Sequence, residues 1–386
     1  MGQSLPRRVD RRIAGWRHRA TLLFLAALLL GPSASYADIV IGMAGPLTGD
    51  SASVGAEMKS GLDAAIADIN ATGGVLHQKL VLSAEDDACD PRQALVAARR
   101  LVERGIRFVF GHYCSATTLV ASSVYADSGT LEITTSGSPL ITQQGFDGLF
   151  RITGRDDQQG LILARYLAAH FSGQRVAILA ERSLLGSGLS SAVRTAIAQQ
   201  GGVAIVFDQA VDIGTKDFSV VIQRLAETKA AAVVYAGYAT QVGLLVKQSV
   251  EAGLKLQFLS GAGLAHRPFW TSSGPAGEGT IYTAITEAAT LQSARSTAER
   301  LQAQGIGTQG YTLYAYAAVQ LFAQAIERAQ STEPDKVDAE LEKGNLPTVL
   351  GDYSFDETGD NSRPAWRLYR WTNGKTEYVD GGANSQ

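Results

Sequence analysis

The chain has 386 residues, of which 45% are apolar and 18% charged, with 34 lysines and arginines against 37 aspartates and glutamates. That balance excludes a disordered or collagen-like chain. At roughly 100–200 residues per domain, the length predicts two domains, each able to bury its own core.

The first 37 residues read as a separate segment. Arg7, Arg8, Arg11, Arg12, Arg17 and Arg19 precede an apolar stretch, Ala20 to Leu30, and then come Pro32 and Ser35-Tyr36-Ala37. A basic start, a short apolar run and a small-residue end describe a secretory signal peptide cleaved after Ala37. The apolar stretch is well short of the ~20 residues that span a bilayer. Cleavage removes six arginines and one aspartate, leaving 28 basic and 36 acidic residues and a net charge of −8. A surface of that sign disfavours nucleic acid, whose binding needs cations to displace phosphate counterions. Cys89 and Cys114 are the two cysteines, and in a secreted chain they are expected to form one disulfide rather than two buried thiols.

From Asp38, short β-branched runs alternate with segments of helical period, the pattern of βαβ units and parallel sheets. Ile39 to Ala44 is the first strand. A helix follows to about Asn70, with Met58, Leu62, Ala65, Ile66 and Ile69 on one face, ended by Gly73-Gly74. Leu80 to Ala84 is the second strand, and Asp90-Pro91 then reads as N-cap and first-turn proline of a helix through Arg104. Strand Arg107–Phe110, a helix near Ala116–Asp127 and strand Leu131–Thr134 complete a first winding.

The cycle restarts with strand Arg175–Ala180, helix Ser187–Gln200 and strand Val203–Phe207. Helix Asp217–Glu227, strand Ala231–Ala236, helix Thr240–Ala252 and strand Gln257–Ser260 continue it. The fold class is therefore α/β, with two doubly wound, Rossmann-like lobes. The remainder departs from the cycle: helical stretches near Ala294–Gln304, Tyr311–Ala329 and Pro334–Lys343 precede strand-like Val349–Phe355 and Trp366–Trp371.

Catalytic signatures are missing. The chain has no G-x-S-x-G, no H-E-x-x-H, no G-x-x-x-x-G-K-[ST], and no G-x-G-x-x-G after a strand. Past the signal segment only His77, His112, His170 and His266 remain, without metal-ligand spacing, so no metal or cofactor is expected. His112 beside Cys114 and Ser115 suggests a nucleophile only superficially, because a disulfide sulfur is no thiolate and Ser115 would need its own base. Glu85, Asp86, Asp87 and Asp90 miss the calcium-loop spacing and read as a solvated turn with a helix N-cap. Asp356, Glu357 and Asp360 around Gly359 read as an acidic hairpin turn. A secreted two-lobed chain without catalytic machinery describes a ligand clamp, with its site at the carboxyl ends of strands.

The segments after those strands carry a pattern. DIVIGMAGPLTG at 38–49, Ala67-Asp68-Ile69-Asn70 before Gly73-Gly74, DDACDP at 86–91 and GHYCSATT at 111–118 together resemble the periplasmic leucine/isoleucine/valine-binding proteins of branched-chain amino-acid ABC transporters. The likeness runs to about Val379. Each piece alone is loose, and the ordered set with both cysteines is specific. The resemblance implies a type I periplasmic binding fold: two lobes joined by three crossings, no enzymatic activity, a small ligand sealed between the lobes, and delivery to a membrane permease. It implies an N-terminal lobe of residues 38–156 plus 284–357 and a C-terminal lobe of 157–283 plus 358–386. A periplasmic location and a monomer are expected with it. A ligand sensor docking on a membrane receptor would use the same lobes.

The resemblance also assigns residues. Ser115 falls where the family's serine offers hydroxyl and amide to a ligand carboxylate, at a helix start whose dipole adds to the attraction. Ser136, Gly137 and Ser138 match the family's small-residue turn, and Tyr238 in VYAGYAT matches a tyrosine covering the ligand. Tyr311 falls at an aromatic position of the mouth. Three positions depart from the family. Ala262 in FLSGAGLA stands where amino-acid binders carry an acid for the ammonium group, Leu185 stands for a tyrosine before Gly186, and Val54 for another. An ammonium desolvated without a carboxylate loses several kcal/mol. These departures predict a carboxylate ligand without an α-amine, such as an aromatic or aliphatic acid, in a pocket of Leu185, Val54, Tyr113, Tyr238 and Tyr311, unless Glu181 or Glu287 substitutes for the missing acid.

Overall fold

The computed structural model describes residues 1–3, 37–265, 267–363 and 366–379. The expected signal peptide, apart from its two ends, and His266 lie outside the described residues. No helix among the described residues is long and apolar enough to cross a membrane.

From Ile39 the chain alternates strand and helix: β1 (Ile39–Gly45), α1 (Ala52–Ala71), β2 (Leu80–Asp86), α2 (Pro91–Glu103), β3 (Phe108–Gly111), α3 (Ser115–Ser128), β4 (Leu131–Thr134), the single turn α4 (Pro139–Thr142) and β5 (Leu149–Arg151). The five strands form a parallel sheet in the order β2-β1-β3-β4-β5. A second winding follows with α5 (Asp156–His170), β6 (Arg175–Glu181), α6 (Leu184–Gln200), β7 (Ala204–Val211), α7 (Ser219–Thr228), β8 (Ala232–Ala236), α8 (Ala239–Glu251), β9 (Gln257–Ser260), α9 (Arg267–Ser273) and β10 (Ile281–Ile285). Its order, β7-β6-β8-β9-β10, repeats that of the first sheet.

After β10 the chain returns to the first sheet with α10 (Arg295–Ala303), α11 (Thr312–Ala329), α12 (Pro334–Lys343) and the small hairpin β11 (Leu346–Thr348) and β12 (Gly351–Tyr353). It then crosses back to add β13 (Trp366–Thr372) and β14 (Lys375–Val379), both antiparallel, beside β10. Three passages, at 152–155, 286–294 and 354–363, join the two lobes.

The central strands read as continuous apolar runs because both of their faces are covered. In β6, Ala177 and Leu179 join one core while Val176, Ile178 and Ala180 join the other; Val233 and Tyr235 against Ala232, Val234 and Ala236 do the same in β8. In the first lobe, Ile39, Ile41 and Met43 pack with α1 and α11. The two helices approach closely at Gly61, where a Cβ would lie 2.0 Å from the Thr312 carbonyl oxygen. Asp90 caps α2 as expected, accepting from the Arg92 and Gln93 amides at 2.8 and 3.0 Å, with Pro91 first in the helix.

The structure departs from the expectations in places. The strand expected over 349–355 is instead the β11–β12 hairpin, because Thr348 folds back, its hydroxyl donating to Gly351 O and accepting from Leu350 N. The break between the windings holds a helix, α5, and β10 was not foreseen. Asp87 is not solvated: it is fully buried, with Oδ2 2.5 Å from His112 Nδ1 and Oδ1 accepting from the Cys89 amide. The hairpin turn expected at 356–360 is present, with the Asp356 amide donating to Asp360 O, and its Asp360 is buried and ion-paired with Arg151.

Candidate functional site

In a sheet of order 2-1-3-4-5 the flanking helices change face between the first and third strands, which opens a crevice at their carboxyl ends. Ser115 follows β3 at that point, and Tyr238 follows β8 at the equivalent point of the second sheet. The cleft between them is lined by Tyr113, Ser115, Gly137, Leu185, Tyr238, Ala262 and Tyr311. The space between these walls, open solvent at its mouth included, is about 880 Å³.

Ser115 opens α3 directly after the disulfide residue Cys114, which is the N-cap. The Cys89–Cys114 bond is formed, with Cα atoms 5.5 Å apart. Thr117 and Thr118 turn their amides back to the Cys114 carbonyl, both at 3.0 Å. Ser115 and Tyr238 line the cleft from opposite lobes. A helix start carries partial positive charge, so the start of α3 is an anion-accepting corner. Around it, the Tyr113 ring meets Tyr311 edge-on at 5.5 Å and lies 6.2 Å from Tyr238. Burial pushes all three phenols above their ordinary values, which keeps them neutral hydrogen-bonding groups.

Ser136 and Ser138 are buried but do not line this cleft. The Ser136 hydroxyl donates to the carbonyls of His112 and Tyr113 and pairs with the Thr118 hydroxyl, while the Ser136 and Ser138 carbonyls accept from Arg151. Only Gly137 of that turn reaches the wall, together with Thr135. Val54 packs in the first-lobe core and borders a small side pocket with Tyr113 and Tyr238. His112 offers Ser115 no base, since its ring nitrogens meet Asp87 and Tyr125. Among the described residues no group of three or more His, Cys, Asp or Glu could hold a metal ion.

Two carboxylates, Asp156 and Glu287, are in the wall, and the described lining residues include no lysine, arginine or histidine. Asp156 starts α5 just after the first passage and was not singled out by the sequence. It is 3% exposed; its amide donates to Gly137 O at 2.8 Å and its Oδ1 accepts from Gln159 Nε2 at 2.6 Å, while Oδ2 has no hydrogen-bond partner. Burial lifts its pKa to about 7, against the opposing pull of Arg151. Gln159 Oε1 in turn accepts from the Ala262 amide at 2.8 Å and from the Thr283 hydroxyl at 2.7 Å. Glu181 is buried at the end of β6 behind the wall, its pKa also lifted to about 7 by burial, and its Oε2 has no hydrogen-bond partner. The available signal for Asp156 was its place at the start of a helix just beyond Gly154, directly after the first passage.

This architecture, two like-wound lobes with a cleft at matched switch points, is that of a type I periplasmic binding protein. The periplasmic binding protein family matches residues 38–376, and the chain belongs to that family. It is 36% identical over 360 residues to Leu/Ile/Val-binding protein homolog 1 of Brucella suis biovar 1 (strain 1330), covering 92% of this chain and 97% of that one. It is 36% identical over 358 residues to Leu/Ile/Val-binding protein BraC3 of Rhizobium johnstonii, covering 92% and 97%. The fold is shared with the branched-chain amino acid transporter substrate-binding protein LivJ of Streptococcus pneumoniae in complex with isoleucine, at a TM-score of 0.82, 22% identity, and 89% and 99% coverage. It is shared equally with an R. palustris solute-binding protein in complex with benzoate, at 0.80, 15%, and 89% and 95%.

Proposed function

We propose that this chain is the periplasmic solute-binding component of an ABC importer. In this reading it is secreted through a cleaved signal peptide, has no catalytic activity, and closes two lobes, divided near 156, 284 and 357, on a small carboxylate-bearing ligand that it hands to a membrane permease. The observation that carries this is the helix start at Ser115, an anion-accepting corner that shares a cleft with Tyr238 of the opposite lobe. A carboxylate there gains charge-assisted hydrogen bonds and the helix dipole without needing a basic side chain.

Two ligand classes satisfy that corner. A branched-chain amino acid is favoured by the names of the relatives. A carboxylate without an amine is favoured by Ala262 and by the apolar Leu185 in the wall. Calorimetry at neutral pH with leucine, isoleucine, valine, benzoate and 4-methylpentanoate tests the common reading. Micromolar binding of any of these, weakened tenfold or more by Ser115→Ala, supports it. Indifference to every carboxylate overturns it.

A further inference from the structure

Among the described residues of the cleft wall, Asp156 carries a carboxylate whose state the protein alone leaves incomplete. One oxygen is held by Gln159, the other is buried without a hydrogen-bond partner, and the side chain is 3% exposed. Burying a charge without a partner is expensive, so either the group is protonated or something else brings a cation to Oδ2.

Its position says what that cation belongs to. Asp156 lies against the turn after β4: its amide is bonded to Gly137 O, and a Cβ on Gly137 would lie 2.1 Å from Oδ1. Ser115 lies after β3, the strand hydrogen-bonded to β4. Neighbouring strands are about 4.8 Å apart, so the anion-accepting corner and the unpartnered oxygen are presented at adjacent strand ends. An α-amino acid carries its ammonium and carboxylate groups on one carbon and fits such a pair. We infer that Asp156 takes the ammonium group of an α-amino acid ligand, in place of the acidic residue that Ala262 lacks, and that Gln159 is the positioning residue that holds Asp156 for it. Gln159 ties the two positions physically, accepting from the Ala262 amide through Oε1 and donating to Asp156 through Nε2. The inference rests on the carboxylate-binding reading above and selects one of its two ligand classes.

The opposing reading is a protonated Asp156 that donates to the carboxylate of an amine-free acid. The two differ in what removal of the amine does. We would titrate the wild type with each of the twenty standard amino acids, the deaminated analogue of each, and benzoate. At least one amino acid should bind, its analogue at least about thirtyfold more weakly. Asp156→Asn, which keeps the volume and the Gln159 contact, should erase that preference, and adding Ala262→Glu to it should recover a part. Gln159→Leu should lower amino-acid affinity more than that of the analogue. If the tightest ligand is an amine-free acid, or if Asp156→Asn leaves the preference for the amine intact, the inference is wrong while the carboxylate reading stands. If no carboxylate binds at all, both fall. Should Asp156→Asn fail to fold, Gln159→Leu decides: an unchanged ratio of amino-acid to analogue affinity overturns the inference.

Discussion

Arg151 and Asp360, 209 residues apart in sequence, form a buried ion pair, Nε to Oδ1 at 2.6 Å, that joins two of the three passages between the lobes. Arg151 ends β5 immediately before the first passage, and Asp360 lies in the third. The guanidinium also donates to the Ser136 and Ser138 carbonyls, so the same side chain shapes the turn whose Gly137 faces the ligand cleft. Removing one partner of a buried pair leaves the other desolvated and uncompensated, at a cost of about 3–5 kcal/mol. Asp360→Ala should therefore lower stability by that amount in chemical denaturation and weaken ligand binding as the 136–138 turn loosens. A loss below about 1 kcal/mol would mean that solvent reaches Arg151 and that the pair does not anchor the passages.

Gly137→Ala should be far more damaging to binding than its size suggests. Its new Cβ would stand 2.1 Å from Asp156 Oδ1 and 2.9 Å from Oδ2, so the carboxylate must swing away from Gln159. Calorimetry should show amino-acid affinity reduced at least tenfold with the secondary structure unchanged by circular dichroism. Ser115→Ala, by contrast, removes a hydroxyl but keeps the amide and the helix dipole, and should cost about 1.5–3 kcal/mol of binding. Equal affinities for Gly137→Ala and wild type would place Asp156 outside the site.

What the sequence could and could not say divides along contact distance. Apolar runs and the Asp90-Pro91 cap are local signals, and they located the central strands of both sheets and α2, while β5, β10 and β14 went unmarked. Within the 136–138 turn the sequence could not tell which residue points where: Ser136 is spent on the His112 and Tyr113 carbonyls, and glycine, the one without a side chain, faces the ligand space. Asp156 gains its place from Gly137, and Asp360 its burial from Arg151; neither pairing leaves a periodic mark. Asp87 looked solvated in an acidic run because its partner, His112, is 25 residues away.

The buried acids give the ligand-free protein a defined pH response. Burial raises Asp156 and Glu181 from their ordinary carboxylate range to about 7, Asp338 to about 6, and Glu132 strongly upward. Between the unfolded and folded values such an acid is protonated in the folded state and ionised in the unfolded one. Stability then falls as pH rises from about 4 to about 7 and levels off above. For Asp156 the lift corresponds to about 4 kcal/mol as an upper figure. The charged groups acting on it are Arg151 and Asp157, and the Tyr113, Tyr238 and Tyr311 phenols sense its charge. Asp156→Asn does not titrate, so its melting temperature relative to wild type should climb steadily from pH 4.5 to 7.5. Parallel curves for the two proteins would show that Asp156 is ionised and satisfied in the folded state.

The disulfide should matter to the ligand as well as to stability. Cys89 and Cys114 are 25 residues apart, and closing a loop of that length constrains the unfolded chain by roughly 3.5 kcal/mol in the chain-entropy model. Cys114 is also the N-cap of α3, one residue before Ser115, so the bond ties the anion-accepting helix start to the loop after β2. That loop is itself held from within by Asp87, which accepts from the Cys89 amide and meets His112. With the bond absent, Asp87 and His112 still fix the strand ends, while the first turn of α3 is less constrained. Replacing both cysteines by serine should therefore lower the melting temperature and reduce ligand affinity severalfold, without abolishing folding. An unchanged affinity alongside the lower melting temperature would restrict the disulfide to stabilising the lobe and assign the placement of Ser115 to the packing of α3 alone.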